Sequence, residues 1–194
     1  MKKAYRLAAI TVSLSWIWFS CQTYEITLDN PIDEIAHADS GYSSPALTMF
    51  PLIQTVEVGN SITIGSYIVD HDTAITSLAG VHMRVTYDGG LLKLDTILPG
   101  VLFTNNGANT PLFTHNTNGG DTIDIFVWYL GAEGGLAYVT ETGHIAEMYF
   151  TARTTTEDTT WVEYDTTPGL CELVTPLDSL VDIRGFRSSS VIIQ

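Results

Sequence analysis

The sequence predicts an all-β protein: a two-sheet antiparallel β-sandwich of about nine strands, wired as a jelly roll. From residue 47 onward, short runs rich in β-branched and aromatic residues alternate with Gly, Asn and Asp clusters that read as turns. No run keeps the 3.6-residue period of an amphipathic helix. Strands at this spacing need two facing sheets to hide their apolar sides.

The first element is not part of that sandwich. Lys2, Lys3 and Arg6 make a basic start, and Leu7–Ser20 carries no charge. As a helix this run would be roughly 21 Å long, short for a bilayer core of ~30 Å. Basic start, apolar run and small residue together describe a signal peptide over 1–20. Ser20 is followed at once by Cys21, which resembles the lipobox of bacterial lipoproteins. The resemblance implies that Cys21 is acylated and becomes the mature N-terminus, anchoring an exported protein to a membrane. Trp18 and Phe19 depart from that motif, so an uncleaved anchor or an ordinary signal peptide stays open.

Loss of residues 1–20 would remove three of the eight basic residues and none of the 22 acidic ones, leaving a balance of −17. Such a surface repels nucleic acid and anionic headgroups, so nucleic-acid partners are excluded and membrane contact would come through the lipid alone. With Cys21 acylated, Cys171 would have no disulfide partner, and stability must come from a core. Residues 21–46 lack periodicity and hold two prolines and a Ser/Gly cluster; they read as the lipidated end and an extended acidic tether.

Residues 47–194 form the domain. SITIGSYIV (61–69), AGVHMRVTY (79–87), LLKLDTIL (91–98), DTIDIFVWYL (121–130) and HIAEMYFTA (144–152) are the clearest strands. LIQTVEV (52–58), PLFTHN (111–116), TTWVEY (159–164), LCELV (170–174) and SSVIIQ (189–194) are weaker ones. Asp88-Gly89-Gly90 and Asn118-Gly119-Gly120-Asp121 are tight turns between them.

VEVGNSITI, LAGVHMRVTYDGGLLKL, LPGVLF, GDTIDIFVWYLGAEGG and TGHIAEMYFTA follow one another in the order and spacing of a cohesin domain. Val58-Gly59, Tyr87-Asp88, Leu92, Pro99-Gly100, Gly143, Ile145, Ala146, Met148 and Phe150 stand at that family's positions, and the chain resembles a cohesin over roughly residues 50–194, loosely after 155. The resemblance implies a nine-stranded jelly roll shared with some carbohydrate-binding modules. It also implies a non-catalytic receptor that docks a dockerin module in polysaccharide-degrading assemblies at the cell surface. A structural or adhesive surface module without dockerin or glycan ligand is the alternative.

Alternation sorts the faces of two strands. Val81, Met83, Val85 and Tyr87 point inward, as do Ile123, Ile125, Val127 and Tyr129. His82, Arg84, Asp124, Phe126 and Trp128 then share the outer side. An exposed Phe and Trp beside Arg and Asp have the composition of an interface anchor. By resemblance, these strands lie in the sheet that receives dockerin. Where type I cohesins commonly place Asn and Asp, this chain has Gly80 and His82.

A glycan site would need aromatic rings in one plane; Trp128, Tyr138, Trp161 and Tyr164 are the candidates, with Trp161 expected in the core. No enzyme motif is present: there is no G-x-S-x-G, H-E-x-x-H or Cys/His cluster, and no cofactor site is expected. Asp70-His71-Asp72 reads as a solvated turn rather than a metal site, and NTNGGDTID (116–124) as a hairpin rather than a calcium loop. Glu133, Glu141 and Glu147 could supply a glycosidase pair only by chance.

Overall fold

The computed structural model describes residues 30–70, 77–103, 110–129, 138–140, 142–156 and 159–194. Leu7–Ser20, Cys21, His71, Glu133 and Glu141 lie outside them, and with them the readings of export, lipid anchoring and those side chains. Among the described residues the chain forms thirteen strands. They are β1 (Ala46–Phe50), β2 (Ile53–Val56), β3 (Ser61–Val69), β4 (Gly80–Tyr87), β5 (Leu92–Pro99), β6 (Pro111–Asn118) and β7 (Thr122–Tyr129). β8 (Gly143–Ala152), β9 (Thr160–Tyr164), β10 (Cys171–Val174), β11 (Leu180–Val181), β12 (Gly185–Arg187) and β13 (Ser189–Ile193) follow.

The first sheet runs β12-β1-β3-β8-β5. The second is centred on β4. Its one edge carries β7, and β6 beyond it. Its other edge is shared: β10 pairs with the Gly80–Met83 end and β9 with the Val85–Tyr87 end. β13 and then β2 extend the sheet past β9, and β11 extends it past β10.

The sandwich is as expected, but its sheets are mixed rather than purely antiparallel. β1 pairs parallel with β12, and β2 parallel with β13. Each end of the domain crosses from the first sheet to the second, and the two crossings run side by side. Ser189 donates its hydroxyl to the Pro51 carbonyl at 2.6 Å, and the Ser190 amide donates to the Leu52 carbonyl at 2.8 Å. Parallel pairing between remote segments has no local sequence pattern, since each strand's alternation is the same either way. The strands beyond the nine expected are short, or buried on both sides: in β1 Ala46, Leu47, Thr48 and Met49 are all buried, which erases alternation.

The two inner faces supply one core. Val81, Met83, Val85, Ile123, Ile125 and Val162 meet Leu47, Met49, Ile64, Met148 and Phe150. Tyr87 touches Phe150 across the sheets with centroids 5.1 Å apart. A buried polar network crosses this core, where Ser66 donates to the Met83 sulfur at 3.1 Å. Tyr164 donates to the Thr48 carbonyl at 3.0 Å and lies 2.7 Å from the Ser66 hydroxyl. Burial pushes its phenol pKa well up, so the neutral donor persists at any working pH.

The tether reading fails over residues 30–46. Helix α1 (Glu34–Asp39) forms there, with Asp33 as its N-cap accepting from the Ala36 amide at 3.0 Å. His37 in its last turn is buried and bonds the Pro31 carbonyl at 3.1 Å. Tyr42 then packs edge-on against His37 and lies under the Arg187 guanidinium, 4.7 Å from its carbon. A six-residue helix is too short for its period to emerge from the sequence.

Candidate functional site

Register places the five predicted residues in a ladder on the outer face of β6, β7 and β4. Trp128 stands between Gly80 and Leu112, Phe126 between His82 and Thr114, and Asp124 between Arg84 and Asn116. The inward partners named with them are all buried, so the alternation reading holds.

Exposure is where the expectation needs correcting. Phe126 and Trp128 are only partly exposed, because each ring packs against its neighbour on β4. Trp128 covers Gly80 so closely that a Cβ there would sit 2.4 Å from the indole. Glycine is required at 80 for the ring to pack there. Phe126 stacks on the His82 imidazole, centroids 4.3 Å apart and planes 5° from parallel.

Asp124 points outward yet is 5% exposed. Four donors cover its carboxylate. Arg84 donates Nε–H to Oδ1 at 2.8 Å and Nη2–H to Oδ2 at 2.9 Å. His82 Nε2 lies 3.2 Å from Oδ1, and Asn118 Nδ2 donates to Oδ2 at 3.0 Å. A carboxylate has no proton to give, so His82 is the donor in its pair. The Arg84 hydrogen bonds hold the Asp124 carboxyl below the usual range; burial opposes them and His82 adds to them. The result is a fixed polar block at one end of the ladder and two packed aromatic rings at the other.

Asn118 was not among the predicted residues. The three-residue turn Gly119-Gly120-Asp121 aligns Asn118 with Thr122 and so brings it diagonally to Asp124; turn length was the available signal. Glu172 on β10 also joins the ladder, opposite His82.

The aromatic candidates for a glycan separate. Tyr164 is in the core. Tyr138, 49% exposed, neighbours Val139, which is bridged to Leu78. Trp161 is 52% exposed, against the core expected for it. It lies on the outer face beside position 88 of β4's continuation, eight residues from Trp128's partner Gly80, so about 26 Å separates the two indoles' strand positions. They cannot share one platform. Glu147 accepts the Tyr149 hydroxyl at 2.6 Å, and residues 116–124 form the β6–β7 hairpin. Among the described residues no three His, Cys, Asp or Glu side chains cluster as metal ligands.

No protein-family model matches the chain, and no curated protein matches it. Solved structures do. The sixth cohesin of Acetivibrio cellulolyticus scaffoldin B, in complex with a Cel5 dockerin, aligns with a TM-score of 0.57 at 17% identity, covering 77% of this chain and 96% of that one. The cohesin of the Coh-OlpC-Doc435 complex from Clostridium thermocellum gives 0.60 at 12% identity, covering 77% and 92%. The seventh ScaB type I cohesin from Pseudobacteroides cellulosolvens gives 0.57 at 17% identity, covering 77% and 91%. At these identities what is shared is architecture: this chain has the fold of the cohesin domains.

Proposed function

We propose that the chain is a non-catalytic docking module whose β6–β7–β4 outer face receives a dockerin-type module. The observation that carries this reading is the ladder itself. It sets two aromatic rings beside a fixed Arg–Asp pair on an open sheet face, in a fold whose solved examples include complexes with dockerins. Packed rings and pre-bonded charges lose little freedom on binding, which favours affinity. Gly80 and His82 replace polar side chains on β4, so the partner meets an apolar, stacked surface there rather than a row of hydrogen-bonding groups. We place the module on an exported, lipid-anchored chain, through Cys21, serving polysaccharide-degrading enzymes at the cell surface.

Surface plasmon resonance of the immobilised chain against type I and type II dockerin modules tests the docking. At least one should bind, and Phe126→Ala/Trp128→Ala should weaken it by about thirtyfold or more. If none binds, the structural or adhesive reading takes over. Cys21→Ala should abolish acyl labelling and release the chain from membranes; unchanged labelling would remove the anchor from the proposal.

A further inference from the structure

The other end of the same sheet carries a second site. Trp161 and Glu163 share a parity on β9, and both are exposed while Thr160, Val162 and Tyr164 point inward. Across β13 and β2, Ser190 and then Ile53 continue the row from Trp161. Two concavities meet at this strand, one of about 490 Å³ and one of about 390 Å³, and Trp161 and Glu163 line both.

On the larger side the wall is Arg187 stacked over Tyr42. The Nη1 of Arg187 is buried and has no hydrogen-bond partner among the described residues. That atom is turned away from solvent, so what the groove meets is the part-exposed remainder of the guanidinium held over Tyr42. On the smaller side, Thr86 and Asp88 line the wall.

We infer that this groove binds a neutral polysaccharide, with Trp161 as the stacking platform between two sugar subsites. A pyranose ring offers an apolar C–H face for the indole. Its hydroxyls both donate and accept, which suits a wall that mixes a guanidinium donor, the Glu163 and Asp88 carboxylate acceptors, and serine and threonine hydroxyls. A neutral chain is favoured over an anionic one, because Glu163 and Asp88 stand inside the groove and the domain is strongly acidic overall. Two concavities sharing one tryptophan fit a chain passing across β9 rather than a single sugar. This site is separate from the docking ladder and does not depend on that reading.

Calorimetry of the purified chain with cellohexaose, xylohexaose and mannohexaose tests it. At least one should bind, and Trp161→Ala should weaken it about tenfold or more, while Trp161→Phe retains most of the affinity. Phe126→Ala/Trp128→Ala should leave sugar binding unchanged, which separates the groove from the ladder. No binding to any of the three, or binding that survives Trp161→Ala, overturns the inference. So does a dockerin module that loses affinity on Trp161→Ala in a chain that binds no sugar, because the groove would then belong to the protein interface.

Discussion

The two outer faces of the sandwich hold similar residues and treat them differently. On the β4–β7 face an aromatic ring covers a glycine, and a carboxylate is saturated by Arg, His and Asn. On the β3–β8 face Tyr67 likewise lies over Gly65, where a Cβ would be 2.6 Å from the ring, and stacks on His144 at 4.7 Å. Its carboxylate Asp95 takes Lys93 at 2.8 Å and Thr151 at 2.5 Å. The contrast is burial: the Asp124 side chain is 7% exposed, against 29% for Asp95 with a 56% exposed lysine. Water competes for the second pair and screens it, so only the first holds its geometry. Similar composition therefore yields a fixed, desolvated polar cluster on one side and a solvated one on the other.

Replacing the two carboxylates should expose that contrast most strongly. Asp124→Ala leaves Arg84, His82 and Asn118 without their acceptor and should cost about 3 kcal/mol. Asp95→Ala should cost less than about 0.5 kcal/mol. Urea unfolding of both variants checks this, and equal costs would erase the distinction.

Acid should sharpen it next. The Asp124 carboxyl is held below its unfolded value by Arg84, so its stabilising contribution is complete above the ordinary aspartate pKa of about 3.9 and is lost as pH falls through the lower folded value. Unfolding free energies measured from about pH 5 to 2 should fall less steeply in Asp124→Asn than in the parent.

The glycines give a smaller difference. Gly80→Ala drives a methyl into the middle of the Trp128 indole and should cost about 1–2 kcal/mol, with a changed tryptophan emission. In Gly65→Ala the clash is with the outer edge of Tyr67, including its hydroxyl, which can swing toward solvent. That variant should lose less than about 1 kcal/mol. A larger loss at Gly65 would mean the β3–β8 face is the more rigid of the two.

What the sequence made legible follows from alternation. GVHMRVTY and TIDIFVWY each carry apolar residues on one consistent inner parity, so the faces and the gathering of His82, Arg84, Asp124, Phe126 and Trp128 could be read. TWVEY could not be read that way, because Trp161 and the Val162/Tyr164 pair put apolar residues on both parities. Glu163, on the parity of Trp161, was the clue to which side faces water. The burial of Asp124 was hidden as well, since it depends on Arg84 and Asn118 converging from neighbouring strands. The helix at Glu34–Asp39 was too short to show a period, and the parallel crossings leave no local mark at all.

Those crossings also set a timetable. Ser189 reaches the Pro51 carbonyl from 138 residues away, so β1 and β2 are made long before β12 and β13, the strands that complete their pairing. Loop closure across that span comes late, and contacts of high sequence separation slow folding. Until β12 and β13 are made, β1 and β2 lack those parallel partners. Nascent chains halted before Gly185 should remain sensitive to protease at β1 and β2, and chains extended through Ile193 should become resistant in one step.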